Sequence, residues 1–350
     1  MTPPAAIPDV PRLLLFINPA SGSGWGADAG AETAARLRSA GAEVIVVETG
    51  WSPAGGGEHS GLAHRCLTEA LRNHLDRLDP DAVIVVGGDG MVHAAVNVVA
   101  RTGVPLGVVP AGTGNDFART FGLDRLTVRE AVEQIIAGMA REPLEMDLMR
   151  VDLQALPAPV TGTASEHGAA TETRWVAAAV NLGFDAVVNA RANALTRPAG
   201  RARYVVAVLR ELWGYRAPVL EVAGPSATGA DPDRDRAETF VLSVLNGRFF
   251  GGGMEAAPQA RQDDGLLDVL WVPRLSPWRF LRVFPRVFSG RHTTVSEVRL
   301  RQAPEVAVRA ATGGPDQATP VVHGDGEPLG VLPAWISVVP GALRLLSAGS

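Results

Sequence analysis

Short apolar runs alternate with stretches of helical periodicity over the first part of the chain. Leu13–Ile17 is a five-residue buried-strand pattern followed by a Gly/Ser turn, and a helix runs through Ala31–Ala40. Glu43–Val47 is a second strand. Leu62–Leu78 repeats apolar residues at helical spacing, with Leu67, Ala70, Leu71, Leu75 and Leu78 on one side. Strands at Ala82–Val86 and Leu106–Val109 alternate with helices at Met91–Ala100 and Val128–Gly138. This alternation predicts a parallel sheet whose ligands bind at the carboxyl ends of its strands.

Farther along, the pattern changes. Trp175–Leu182, Val219–Val222, Thr239–Asn246, Leu266–Val272, Val295–Arg301, Val306–Val308 and Trp335–Val339 read as strands with few helices between them. That predicts a mainly antiparallel sheet or sandwich. Gln154–Glu172 and Gly224–Arg236, rich in Ala, Gly, Pro, Ser, Thr and Asp, read as exposed or disordered loops. The expected organisation is an α/β domain over residues 1–146 and a β-rich domain over 147–340.

Composition narrows the class. With 350 residues, 46% hydrophobic and 20% charged, the chain has the balance of a folded protein with room for two cores. A net charge of -5 argues against broad nucleic-acid binding. The single cysteine, Cys66, excludes an internal disulfide and fits a reducing cytoplasm. Met1–Val10 has no basic residue, and no apolar run approaches a membrane span, so neither a signal peptide nor a transmembrane segment is expected. All 32 basic side chains are arginine, in keeping with codon bias in a GC-rich genome. Any lysine that a phosphate site would use is therefore absent.

Three strand-to-helix turns carry the candidate chemistry. They are Asn18-Pro19-Ala20-Ser21-Gly22-Ser23-Gly24, then Gly87-Gly88-Asp89-Gly90-Met91-Val92-His93, then Pro110 through Arg119, which includes Gly112-Thr113-Gly114-Asn115-Asp116. Glycines at a strand's carboxyl end let main-chain N–H groups approach an anion, and the following helix N-terminus adds partial positive charge. Each turn alone is also a tight βα connection. Three at successive ends of one parallel sheet would line a single crevice. Asp89 would repel a phosphate unless a cation lay between them, which suggests a bridging Mg²⁺. A cap for the next helix is the plainer role, and the two can coexist. Neither G-x-x-x-x-G-K-[ST] nor a dinucleotide G-x-G-x-x-G pattern is present.

Together these residues resemble the diacylglycerol kinase catalytic-domain family, in particular its soluble bacterial lipid-kinase branch. The resemblance continues through Asn181-Leu182-Gly183-Phe184-Asp185, Asn246-Gly247, Gly251-Gly252-Gly253-Met254, Asp263-Asp264-Gly265-Leu266 and Asp325-Gly326-Glu327, in the family's order over nearly the whole chain. It implies an α/β domain like those of NAD kinases and phosphofructokinases, a mainly antiparallel β-sandwich, and nucleotide bound in the cleft between them. It also implies that the tail, residues 341–350, returns to the first domain. Asn18, Pro19, Ala20, Ser21, Gly22, Thr49, Gly87, Gly88, Asp89, Gly90, Met91, Val92, His93 and Thr113 would contact ATP, with Asn115 and Asp116 beside them in the third turn. Asp264 would bind Mg²⁺, with main-chain oxygens of Arg261 and Leu266 as further ligands. Glu327 would accept the proton of a lipid hydroxyl, with Asp325 in the metal and water network. Read alone, Asp325-Gly326-Glu327 is a hairpin turn.

The chain departs from the family at Met91, where Thr is usual, at His93, where Asn is common, and at Ser23, where many bacterial members have Lys. Arg119 is a candidate to replace the lost charge. The implied substrate is a diacylglycerol-like lipid. Kinases of soluble acceptors such as NAD, or a non-catalytic nucleotide sensor, remain as alternatives. A cytoplasmic lipid kinase of this kind would visit the inner face of the membrane or receive its substrate from a carrier. Pro277–Gly290 and Arg201–Arg216, which mix aromatic or aliphatic residues with arginine, read either as interfacial helices or as covers for the second domain's sheet.

Overall fold

The computed structural model describes residues 10–50, 60–154, 171–195, 201–224, 233–311 and 319–347. The chain forms two compact units. The first is Met1–Leu148 with Gly251–Gly253 and Pro340–Ser350, and the second is Met149–Phe250 with Met254–Val339.

In the first unit β1 (Arg12–Ile17), β2 (Glu43–Glu48), β3 (Ala82–Gly87) and β4 (Leu106–Pro110) lie parallel in the order β2-β1-β3-β4. Leu345, from the end of the chain, pairs parallel beside Leu106, and the Leu346 N–H donates to the Leu106 carbonyl at 2.8 Å. The helices are α1 (Trp25–Ser39), α2 (Ser60–Leu78), α3 (Asp89–Val99), α4 (Asp116–Thr120) and α5 (Val128–Met139). Strand alternation sends Leu13, Leu15, Ile17, Ile84 and Val86 to one face, where they meet Leu37 of α1 and Val132 and Ile135 of α5. Leu14, Phe16, Val83 and Val85 point the opposite way and are equally buried. Helices on both faces leave the strands apolar throughout, which is why they read as continuous runs. Gly107 in β4 has a packing role, since a Cβ there would lie 2.7 Å from Ile84 Cδ1 and 3.1 Å from Ile135 Cδ1.

The second unit begins within β5 (Leu144–Gln154). It holds β6 (Thr171–Val176), β7 (Ala179–Gly183), β8 (Val219–Gly224), β9 (Asp233–Glu238), β10 (Val241–Leu245), a short β11–β12 pair (Phe249–Phe250, Met254–Glu255), β13 (Leu267–Val272), β14 (Arg299–Ala303), β15 (Glu305–Ala310), β16 (Val321–Gly324) and most of β17 (Glu327–Leu345). One layer runs β14-β13-β10-β7-β16-β17 and the other β6-β5-β17-β15-β8-β9. β17 belongs to both, pairing with β16 near its start and with β15 at Ala334–Ser337. Val180, Leu182, Leu242, Val244 and Val269 pack between the layers against Val222, Val308 and Ile336. On the outer side of β7, β10 and β13 lie α6 (Phe184–Ala194), α7 (Arg201–Glu211) and α8 (Pro277–Val283), whose Val188, Val208 and Phe280 cover Ala179, Leu245 and Leu270.

The α/β unit and the β-sandwich are the two fold classes that the sequence pattern predicts. Several elements differ in detail. The strand expected at Trp175–Leu182 is split into β6 and β7, and the start expected at Val295 moves to Arg299 because Arg291–Thr294 form a 3-10 turn. The loop expected at Gly224–Arg236 contains β9, whose charged sequence hides a strand at one edge of its layer. Residues 155–170 and 225–232 of the two expected loops lie outside the described residues, as do 1–9 and 348–350. Three helices cover one sheet face where few were expected. Pro285 ends α8 as regular helix, and Phe284–Ser289 continues it as 3-10.

Filling the glycine gap in β4 tests this packing. Gly107→Val should lower unfolding stability by about 2 kcal/mol, read from the denaturant midpoint, because two isoleucines must leave their rotamers to admit it.

Candidate functional site

The three glycine turns converge at the carboxyl ends of β1, β3 and β4. In the first, the Asn18 side-chain oxygen accepts the Ala20 N–H at 3.1 Å, and the Asn18 N–H donates to Val86 O of β3 at 3.2 Å. Gly22 has φ +58°, and a Cβ there would lie 2.8 Å from Ala111 O. The second and third turns come closer still. A Cβ on Gly112 would fall 2.4 Å from Gly88 Cα, and one on Gly114 would fall 2.6 Å from Asp89 Oδ2. Side chains at these positions would force the turns apart. Asn115, itself at φ 53°, grips Gly112 through both ends of its amide at 3.0 Å. The Asp89 carboxylate accepts the Phe117 N–H at 3.2 Å, so it caps α4 across the site, while the cap position of α3 is Gly88.

The expected nucleotide residues divide into two groups. Gly88, Asp89 and Gly90 are half-buried at the N-terminus of α3, beside half-buried Pro19, Ser21, Gly22 and Asn115 and exposed Ala20 and Thr113. These can present N–H groups and oxygens to an anion. Asn18, Thr49, Gly87, Met91, Val92, His93 and Asp116 are instead buried. Met91 sits under Gly87, and its sulfur lies 3.5 Å from the Thr49 hydroxyl. His93 meets Asn97 within α3. These side chains shape the floor of the turns. Arg119 is similarly committed. Its guanidinium binds Asp116, Asp124 at 3.1 Å and Gly114 O at 3.0 Å. The other Asp116 oxygen accepts the Gly252 N–H at 2.6 Å. Arg119 therefore braces the third turn, and its charge is met by carboxylates.

In the second unit, Asp325 (φ 49°) and Gly326 (φ 89°) form a two-residue hairpin turn between β16 and β17. The Asp325 carboxylate accepts N–H groups from Ala177 and Ala178 at 2.9 Å and from Ala179 at 3.1 Å. This clamp explains the break between β6 and β7, since those N–H groups point at a side chain. Glu327 follows as the buried first residue of β17. Asp264 lies on an exposed turn, where its Oδ1 accepts the Leu266 N–H at 3.0 Å. Beside it the Arg261 side chain is paired with Asp263 at 3.0 Å. Among the described residues no three His, Cys, Asp or Glu side chains gather as a metal-holding group.

Residues 12–151 match the family model described as "Diacylglycerol kinase catalytic domain". A Mycobacterium tuberculosis protein named "Diacylglycerol kinase" is 33% identical over 339 residues, covering 97% of this chain and 96% of the relative. The chain belongs to the diacylglycerol kinase catalytic-domain family. Residues 178–347 match a second model, "YegS C-terminal NAD kinase beta sandwich-like domain". A Pseudomonas aeruginosa protein named "Probable lipid kinase YegS-like" is 30% identical over 321 residues, covering 90% of this chain and 89% of its own length. A solved structure from Bacillus anthracis, described as a diacylglycerol kinase, superposes with TM-score 0.62 over 97% of each chain. At 16% identity that likeness concerns the fold alone.

The family motif around Gly183 has a visible cause here. Gly183 takes φ +84°, and a Cβ on it would lie 2.6 Å from Phe240 O, while the Phe184 N–H donates to that oxygen at 2.7 Å. Next to it lies a feature that the sequence reading missed. A narrow apolar cavity of about 90 Å³ opens between the outer face of β7, β10 and β13 and the covering helices. Phe184, Val208, Phe240, Leu270, Phe280 and Phe284 line it. Its few polar groups are Asp185, Tyr204, Ser243 and His292, and the Tyr204 hydroxyl donates to Asp185 Oδ1. Burial raises the Asp185 pKa to about 6, against the smaller opposing effect of that hydrogen bond. Contributions from seven stretches scattered between Phe184 and Val298 gave no local signal in the sequence.

Two measurements test these placements. Asp325→Ala leaves three N–H groups without their acceptor and should cost at least about 3 kcal/mol of stability, with Asp325→Asn intermediate in denaturant melts. Asp185 binds its proton more tightly folded than unfolded, so its stabilising contribution is full at low pH and declines between about pH 4 and about pH 6. Asp185→Asn should remove that part of the stability–pH slope. A variant with the wild-type slope would place the titration elsewhere.

Proposed function

We propose that this chain is an ATP- and Mg²⁺-dependent lipid kinase that transfers the γ-phosphate to a hydroxyl of diacylglycerol or a related lipid. The observation that carries the reading is the convergence of the three glycine turns, packed so closely that main chain meets main chain at Gly22, Gly88 and Gly112. The Gly88–Gly90 end of α3 and the turn at Gly22 would meet the phosphates with main chain and with the positive end of the α3 dipole. On this reading residues 1–146 with 341–350 are the nucleotide-binding domain, and 147–340 are the lipid-substrate domain.

The residues fit a divalent cation of the kind that kinases share with their nucleotide. Mg²⁺ typically takes one or two carboxylates and completes its shell with water and phosphate oxygens, so the absence of a three-acid cluster among the described residues is no obstacle. Asp264, with main-chain oxygens of Arg261 and Leu266, would hold it. Bound there, Mg²⁺ supplies neutralisation of the charge on the phosphates. Glu327 would take the proton of the attacking alcohol, a weak nucleophile that benefits from a positioned base. Asp325 anchors the turn that presents Glu327, so its role is positional. The apolar cavity beneath α7 and α8 would take acyl chain. At about 90 Å³ it is smaller than the roughly 300 Å³ of an ordinary ligand pocket, so a full chain enters only as those helices give way. Among the described residues no helix is long and apolar enough to cross a membrane, and the enzyme would act in the cytoplasm, reaching its substrate at the membrane surface.

The decisive assay supplies labelled ATP and Mg²⁺ with mixed micelles of diacylglycerol, ceramide, sphingosine and monoacylglycerol, and NAD in parallel. At least one lipid should be phosphorylated, and Glu327→Gln should lower kcat by about 10²–10⁴ while nucleotide binding persists. Phosphorylation of NAD alone would overturn the lipid reading.

A further inference from the structure

Helix α7 is apolar on two sides. Tyr204 and Val208 face the cavity, and Ala207 and Leu212 are also buried. On the outside, Val205 and Leu209 of the helix and Trp213 in the turn that follows it recur every four residues and are 41%, 49% and 56% exposed. Residues four apart share a helix face, so these form one continuous row. Trp278, at the start of α8, extends it. Its ring stands edge-on to that of Trp213 with centroids 5.8 Å apart, and it is 75% exposed. Helix α8 has the same two-sided character, because Phe280 and Val283 line the cavity.

Charge completes the pattern. Arg210 of α7, Arg216 just beyond it, Arg282 of α8 and Arg286 of its 3-10 continuation are exposed, and among the described residues none of them forms an ion pair. The acid of α7, Glu211, and Glu297, which lies just before β14, are already taken. Glu211 pairs with Arg191 at 2.5 Å, and Glu297 pairs with Arg279 at 2.6 Å. A chain of net charge -5 therefore carries a positive, aromatic-topped patch on the outer side of its apolar cavity. Tryptophan and arginine on a short amphipathic helix suit the headgroup layer of a bilayer, where the indole is half-immersed and arginine meets lipid phosphates.

We propose that the outer faces of α7 and α8 dock on an anionic bilayer surface, with Trp213 and Trp278 seated among the headgroups. The acceptor lipid then enters the cavity on the inner side of the same two helices without crossing water. This rests on the lipid-kinase reading for its purpose, but the docking is separable from the chemistry. Neither tryptophan lines the cavity. The sequence pattern marks Tyr204, Val208 and Leu212 as the apolar side of Arg201–Arg216, and of its two readings, interfacial helix or cover for the sheet, that side takes the second, turned inward.

The test uses the full chain with vesicles of phosphatidylcholine alone or with one quarter phosphatidylglycerol, followed by sedimentation without nucleotide. Wild type should bind the anionic vesicles, with blue-shifted tryptophan emission, and bind phosphatidylcholine alone at least tenfold more weakly. Trp213→Ser/Trp278→Ser should lose at least tenfold in vesicle affinity and in turnover of vesicle-borne diacylglycerol. Turnover of a short-chain, water-soluble diacylglycerol should be unchanged. Arg282→Glu should weaken binding to anionic vesicles only. Wild-type vesicle binding that survives the double substitution overturns the proposal. So does equal loss of turnover in both formats, which would mark a structural role, or a dimer that the substitutions dissociate, which would mark the patch as a contact between copies. Vesicle binding that depends on the two tryptophans, with no lipid turnover in either format, would sink the kinase reading and leave the docking surface standing.

Discussion

Close approach of main chain to main chain is the constraint on which the first unit's site depends. Gly88 and Gly112 lie so near that a single Cβ on Gly112 would stand 2.4 Å from Gly88 Cα, and Gly22 meets Ala111 almost as tightly. Three βα turns can form one surface only because nothing larger than hydrogen separates them. Asp89 then locks the arrangement by capping the helix of the third turn, and Asn115 and Arg119 stiffen that turn from within. The result is a main-chain surface whose position is set before any ligand arrives, the condition under which fixed dipoles act on charge most effectively.

A parallel division of labour operates in the second unit. Two acids sit two residues apart at the β16–β17 turn, yet their surroundings differ. Asp325 has both oxygens engaged by three main-chain N–H groups, and this holds a left-handed turn residue in place. Glu327 begins a strand and inherits the position that the turn defines. The hairpin and the proton-acceptor readings of this segment are thus compatible, because the first residue makes the turn and the third is carried by it.

Periodicity made the central strands of the α/β unit legible almost to the residue, since β1, β3 and β4 are buried along their length and their apolar runs are unbroken. Edge strand β2, by contrast, is half-exposed, and α1 starts at Trp25 rather than at the expected Ala31. The sandwich was legible as a class and not in its joints. The split between β6 and β7 depends on an acid 148 residues away from Ala177, which no local window contains. Strand β9, Asp-Arg-Asp-Arg-Ala-Glu, lacks an apolar face because it lies at an edge and pairs only with β8. At the site, motif spacing picked out the turns that converge. It could not separate Met91 and His93, buried beneath them, from Asp89 and Gly90 at the surface. The cavity was invisible for a related reason, being assembled from strands and helices that the chain visits at separate times.

The arginine-only composition bears on how charge is balanced in such a site. A mobile lysine near the phosphates would be the simplest counter-charge, and this chain has none. Arg119, the nearest replacement suggested by sequence, is held by Asp116 and Asp124 and by a carbonyl, so its charge is largely spent inside the third turn. On the proposed reading, neutralisation must then come from oriented N–H groups and a divalent cation. A guanidinium is planar and always charged, and it fixes a loop better than it follows a moving phosphate. Its use here as a brace suits a site in which the backbone, held rigid by glycine contacts, does the binding.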